Sequence, residues 1–168
     1  MKMQLWVKDG MKVERLMKQS VVTCTPYDTL DHAASKLWEW DCGMLPVCES
    51  GEPKLKGVIT DRDICMHAHL HNKPLTQIHV ADAMSDRVKT CFRSDSLAEA
   101  EAIMRAARVR RLPVIDSNGD LVGILSLADL AREAARQDIP DEPNITLLEV
   151  GDTLSRICAS QLPVLELS

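Results

Sequence analysis

Gly57-Val58-Ile59-Thr60-Asp61-Arg62-Asp63 and Gly123-Ile124-Leu125-Ser126-Leu127-Ala128-Asp129 are two versions of one stretch. Each opens on a glycine, passes through two apolar β-formers, reaches a hydroxyl residue and places an aspartate three positions later. A run able to form a helix follows in both cases. Hydroxyl and acid at this spacing also make a capping box, so each stretch reads as a strand that turns directly into a helix N-terminus. Recurrence with a period near 65 residues marks a repeat architecture, which constrains the fold before any local detail does.

The register of the repeat extends well beyond these corners. An offset of 67 residues aligns Val13 with Val80, Met17 with Met84, Cys24 with Cys91, Asp28 with Asp95 and Leu30 with Leu97. The same offset places Leu45-Pro46-Val47 on Leu112-Pro113-Val114, and an offset of 66 then aligns Leu55 with Leu121, Gly57 with Gly123 and Asp63 with Asp129. Each unit predicts a lead-in, a strand (Val21–Cys24 or Val88–Cys91), a capped helix, two strands joined by a turn, and a second helix (about Asp61–His71 or Leu127–Gln137). Asp28-Thr29 and Asp95-Ser96 supply the first cap, with Glu99 completing a capping box on Ser96. The first helix carries Leu30, Ala33, Ala34, Leu37 and Trp38 in one unit, and Leu97, Ala100, Ile103, Met104 and Ala107 in the other. Both sets follow the spacing of one buried face. Asn118-Gly119 is a hairpin signal, because both residues tolerate positive φ. The fold class expected is α/β (α+β), two tandem β-α-β-β-α repeats packed sheet to sheet. The expected boundaries are a leader at 1–10, repeats at 11–75 and 76–138, and an extension at 139–168.

Composition narrows the function classes. The 168 residues are 45% hydrophobic and 27% charged, a normal globular mixture. Three Trp, one Tyr and one Phe give no stacking platform for single-stranded nucleic acid. A net charge of −5 gives no basic footprint for a duplex. No apolar run reaches the ~20 residues a bilayer span needs, so neither nucleic acid nor a membrane is an expected partner. Six cysteines without C-x-x-C spacing are read as free thiols of a cytoplasmic protein.

With the ordered set of motifs present twice, residues 11–138 resemble a tandem pair of cystathionine β-synthase (CBS) domains, a Bateman module. The residues that carry the resemblance are the lead-ins Lys12-Val13 with Leu16-Met17 and Val80 with Asp82 and Met84, the Asp28-Thr29-Leu30 and Asp95-Ser96-Leu97 caps, the Leu-Pro-Val strands and the two corners. The resemblance implies a stand-alone regulatory module with no catalysis and no required cofactor. It implies binding of AMP, ADP, ATP or S-adenosylmethionine in clefts between the repeats, a homodimer, and an effector protein as partner. It places phosphates at Thr60 and Ser126, ribose at Asp63 and Asp129, and adenine against Val22, Thr23, Leu45 and Pro46, or Lys89, Thr90, Leu112 and Pro113. Physical chemistry agrees, because a helix N-terminus with unsatisfied N–H groups suits an anion. A carboxylate also strengthens hydrogen bonds from hydroxyls. Arg110 and Arg111, with Arg108 just before them, are the densest cationic cluster and are expected near phosphate. Arg62 stands beside Thr60 where the second corner has Ala128, so unequal affinities are expected. Gly57 and Gly123 are expected to let backbone approach the ligand. The competing expectation is an oligomerisation or interaction scaffold with degenerate clefts, in which the corners are capping boxes only.

Other constellations are weaker. His67-Ala68-His69-Leu70-His71 has two histidines at metal-sharing spacing, yet a polar helix end explains it better. Trp38 and Trp40 lie on different faces of one helix, so one is expected in the core and the other at a dimer contact. Beyond Ile139-Pro140, residues 147–154 echo the strand, turn and Asp-Thr-Leu cap of the repeats, and Leu162-Pro163-Val164 echoes their Leu-Pro-Val.

Overall fold

The Leu-Pro-Val segments are the strands on which each repeat is laid. A computed structural model describes residues 10–136 and 145–159. In the first repeat β1 (Leu45–Cys48) and β2 (Leu55–Ile59) pair antiparallel, Leu45 opposite Ile59, with an irregularity between Val47 and Cys48. In the second, β3 (Cys91–Phe92), β4 (Arg111–Ile115) and β5 (Leu121–Ser126) lie in the order β3-β4-β5, with β3 parallel to β4. The helices are α1 (Leu30–Glu39), α2 (Asp61–His71), a single turn α3 (Val80–Ala83), α4 (Leu97–Ala107), α5 (Leu127–Arg136) and α6 (Leu147–Cys158). The architecture is the mixed α and β repeat expected, and Thr29, Thr60 and Ser96 cap their helices as read.

The first strand of each repeat is shorter than expected, and proline is the reason. Cys24 donates its N–H to Pro46 O (3.1 Å) and accepts from Cys48 N–H (2.9 Å). The next parallel bond would run from residue 46 to the Val22 carbonyl, but proline has no N–H to give. The ladder therefore ends at an isolated Cys24–Val47 bridge. Pro113 limits β3 to Cys91–Phe92 in the same way.

The β4–β5 turn also departs from its reading. Gly119 has φ of 80°, but Asn118 is not among the residues at positive φ. Asp116 organises the loop instead, its Oδ1 accepting the N–H groups of Asn118 (2.8 Å) and Asp120 (3.0 Å). Those N–H donors, the Asp120 amide foremost, hold the Asp116 carboxyl below its ordinary pKa.

On α1 the buried stripe is Leu30, Ala33 and Leu37. Trp38 is 89% exposed and Trp40 64% exposed, so neither is core. Trp38 follows Leu37 by one residue, a ~100° turn away from the buried stripe.

The extension does not follow the strand of the repeats that its sequence echoes. Residues 147–154 form no strand; α6 is continuous through them, opened by a capping box between Thr146 and Glu149. Asp152-Thr153-Leu154 lies mid-helix, where Thr153 is fully buried and donates its hydroxyl to Glu101 Oε1 of α4 (2.6 Å). A buried hydroxyl facing a buried carboxylate fixes α6 on α4, because either group alone would be an unsatisfied polar atom. Residues 139–143 and 162–164 lie outside the described residues.

By contact the chain divides into two units: Lys18–Arg93 with Pro113–Ile124, and the remainder. The core of the first gathers Cys24, Leu30, Ala33, Leu37, Leu45, Val47, Ile59, Ile64, Ile78 and Val80. In the other, Val13, Leu97, Met104, Leu112, Leu125 and Leu130 are fully buried or nearly so. These units cut across the sequence repeats because each repeat's lead-in bonds to the other repeat. Val13 N–H donates to Asp95 O, and its equivalent Val80 N–H donates to Asp28 O. Lys18 exchanges both backbone bonds with Ile124, and its equivalent Ser85 does so with Val58. The exchange covers hairpin edges that would otherwise expose unpaired backbone.

No helix among the described residues is long and apolar enough to cross a membrane. All six cysteines are free, with Cys24, Cys48 and Cys91 buried and Cys65 and Cys158 exposed. Burial first, and then the nearby Asp28 carboxylate, push the Cys24 thiol up to about 12 against the partial relief of Lys36. Thiol-reagent titration of the native protein at neutral pH is therefore expected to modify Cys65 and Cys158 first. Cys24 and Cys48 should react only on unfolding, since the thiolate is the reactive form. Rapid labelling of Cys24 in the native state would contradict this packing.

Candidate functional site

The first corner is built by β2 running straight into α2. Thr60 is the N-cap of α2, and its Oγ1 accepts from Asp63 N–H (3.2 Å). Asp63 Oδ2 accepts in return from Thr60 N–H (2.9 Å) and from the Thr60 hydroxyl (2.6 Å). All of this falls on one carboxylate oxygen. Among the described residues, Asp63 Oδ1 has no protein donor, and Asp63 is only half-buried. Arg62 is exposed, one residue into the helix, with its N–H on Asp61 Oδ1 (2.8 Å).

The second corner repeats the box and then closes it. Asp129 Oδ2 accepts from Ser126 N–H (2.9 Å) and the Ser126 hydroxyl (2.5 Å), and Asp129 N–H donates to Ser126 Oγ (3.2 Å). Here the other oxygen, Oδ1, is taken by the guanidinium of Arg132. Asp129 is 5% exposed. The residue equivalent to Arg132 in the first repeat is Met66, which cannot form that bond. With Oδ2 holding two donors, Oδ1 holding one and the residue 5% exposed, far less of this carboxylate is open to a ligand hydroxyl than of Asp63. The pair is three residues apart on one helix, a spacing at which side chains meet.

Between them the corners and lead-ins carry the motifs of one known domain. The CBS domain family model matches residues 13–69 and 80–136, once on each repeat. The chain belongs to the CBS domain family. A CBS domain-containing protein of Bacillus subtilis, YhcV, is 37% identical over 119 residues, covering 71% of this chain and 82% of YhcV. Among solved structures, Hypoxic Response Protein I with two coordinated zinc ions is 28% identical with a TM-score of 0.66, covering 77% of this chain and all of that one. CBSX2 in complex with AMP is 27% identical with a TM-score of 0.65, covering 76% of this chain and 98% of that one.

The remaining candidate residues of the CBS pair fall into distinct environments. Leu45 and Leu112 are fully buried, and Pro46 and Pro113 are buried beside them, so these side chains serve the core. Val22, Thr23 and Thr90 are half-buried and Lys89 is exposed. Because Pro46 gives no N–H, the Val22 carbonyl is left without its ladder donor, and Pro113 leaves Lys89 likewise. The Thr23 carbonyl is engaged by Lys36 Nζ (2.9 Å), which also lies 3.6 Å from Asp28 Oδ2. Burial would raise the Asp28 carboxyl, but the Thr25 N–H and the Lys36 charge outweigh it and hold the pKa below its ordinary value.

Arg110 is exposed and Arg111 half-buried; the Arg110 carbonyl accepts from Leu127 N–H (2.9 Å), which ties this arginine's backbone to the start of α5. Arg108 caps α4 in the left-handed conformation, φ 55°. It lines a cleft of about 440 Å³ together with Arg105 and Arg156, beside α6. A second cleft, about 210 Å³, is lined by Thr23, Cys48, Pro53 and Gly123 among others. It is below the ~300 Å³ at which small-molecule sites usually begin. Gly57 has a reason of its own to be glycine: a Cβ there would stand 2.9 Å from both Met84 Sδ and the Ser85 carbonyl. Its space is already used by the exchanged lead-in. His67 and His71 stack at 4.5 Å between ring centroids, and no group of three or more metal-ligating side chains forms among the described residues.

Proposed function

We propose that this CBS pair is a regulatory module that binds an adenine nucleotide at the Thr60–Asp63 corner and controls a partner protein through it. The observation that carries the reading is the unengaged Oδ1 of Asp63, one turn inside a helix whose N-terminus suits a phosphate. In this reading Asp63 accepts from the ribose hydroxyls, and Thr60 with Arg62 meets the phosphate. The Val22 carbonyl accepts from the exocyclic amine of adenine, with Thr23 beside it. Ser126, Asp129, Arg110 and Arg111 form the second, weaker position, and Leu45, Pro46, Leu112 and Pro113 support the two strands from the core. The likeness to CBSX2, whose structure holds AMP, supports AMP as the first ligand to try. The module itself performs no catalysis, works as a homodimer in the cytoplasm, and divides in sequence at 11–75 and 76–138.

A second reading, a scaffold with degenerate clefts, is favoured by the closure of Asp129 by Arg132. Thermal melting with millimolar AMP, ADP, ATP and S-adenosylmethionine separates the two. A ligand present at about a hundred times its Kd adds ~2.7 kcal/mol, roughly 5–10 °C for a chain of this size. An unmoved melting point with all four ligands would reject the sensor and leave the scaffold.

A further inference from the structure

Internal symmetry gives α6 a meaning that the family match, which ends at residue 136, does not. Helix α6 lies against α4 and α5, with Val150 and Thr153 inward. Glu101 and Arg105 hold it on the α4 side, Glu101 through the Thr153 hydroxyl and Arg105 through Asp152 (3.5 Å). Sixty-seven residues earlier, on α1, the equivalents of Glu101 and Arg105 are Ala34 and Trp38. A helix laid on α1 as α6 lies on α4 would therefore cover Ala34 and Trp38. The polar grips of the second repeat are replaced there by an apolar pair, and Trp38 stands in solvent.

The chain also carries an uncovered apolar helix face. The side of α6 turned away from α4 and α5 presents Leu147, Leu148 (84% exposed) and Leu154. Gly151 lies between them, and a Cβ there would meet no atom within 4 Å. We propose that Trp38 and Ala34 of one copy receive the outer leucine face of α6 from a second copy. This rests on the homodimer reading above and names its contact. Trp38 alone leaves on the order of 200 Å² of apolar surface in water. With the three leucines each copy offers an area of the same order as the ~800 Å² per partner of a standard interface. The contact is continuous with the α4–α6 interface, because α6 would be gripped by its own chain on one side and by the partner on the other. A tryptophan seated between leucines is the kind of anchor on which association energy concentrates.

Sedimentation velocity on the full chain tests this with two variants, Trp38→Ala and Leu148→Asp. Each changes a side chain that lies in solvent, so the far-ultraviolet circular dichroism of either should match wild type; Leu147→Asp repeats the break at a second position. Wild type is expected to self-associate, and each variant alone to lose more than tenfold in association. An equimolar mixture should recover pairs, since one copy retains the leucine face and the other the tryptophan. Wild type that stays monomeric at every concentration would overturn both this contact and the homodimer. Variants that associate like wild type would overturn this contact while leaving the homodimer standing on another face. Variants that fall apart and are not rescued on mixing would also overturn it, because a face that pairs with its own copy behaves that way.

Discussion

Asp63→Ala should abolish most of the AMP-dependent rise in melting temperature, whereas Asp129→Ala should leave most of it in place. The difference follows from what each carboxylate already does. Asp63 spends Oδ2 on the Thr60 cap and keeps Oδ1 open. Asp129 spends Oδ2 on Ser126 and Oδ1 on Arg132. A hydrogen bond to a charged group is worth ~1.5–3 kcal/mol, so loss of one ribose bond weakens binding roughly ten- to hundredfold. Each variant also loses an N-cap partner, at about 0.5–2 kcal/mol of stability. The quantity to compare is therefore the increment caused by AMP and not the melting temperature itself. Arg132→Ala should act in the opposite sense, freeing Asp129 Oδ1 and adding a second, weaker binding step in calorimetry. Equal losses from Asp63→Ala and Asp129→Ala would show that the two corners are equivalent and that Arg132 does not close one of them.

Gly57→Ala should destabilise the chain by about 1–3 kcal/mol without introducing any polar or charged group. The added methyl would meet Met84 Sδ, which can swing away, and the Ser85 carbonyl, which cannot. That carbonyl accepts from Val58 N–H (3.0 Å), and Ser85 N–H donates back to Val58 O (2.9 Å). Displacing it removes two backbone bonds in addition to the overpacking. Urea unfolding measures the loss, and amide exchange at Val58 and Ser85 locates it. A variant as stable as wild type, with both amides still protected, would show that the lead-in can shift without loss.

The repeat was readable because its requirements are local and recur. A capped helix start, a Leu-Pro-Val strand and a glycine before a β-run each ask for a residue type at a fixed place, and the chain meets them twice in order. What escaped reading depends on neighbours far away in sequence. The α1 stripe could be drawn from spacing, but whether Trp38 closes the core or faces water depends on what lies across from it. Thr146 and Glu149 make a capping box, while residues 147–154 also echo a repeat strand, and only packing on α4 and α5 decides between the two. The packing reason for Gly57 is invisible locally because the lead-in that fills its Cβ space lies 27 residues further on. The contact of Arg132 with Asp129, by contrast, follows from helix spacing alone.

The exchanged lead-ins also bear on how the chain acquires its fold. Residues 11–18 find their backbone partners at 95–97 and 124, so the first repeat is unfinished until most of the second has been made. Loop closure over such separations slows folding, and a nascent first repeat would wait with open hairpin edges as synthesis continues. A gene cut between the repeats would then yield two fragments, each with an unpaired edge and a prospect of aggregation. Given together, the fragments could complete each other. Each repeat is thus the template on which the other closes.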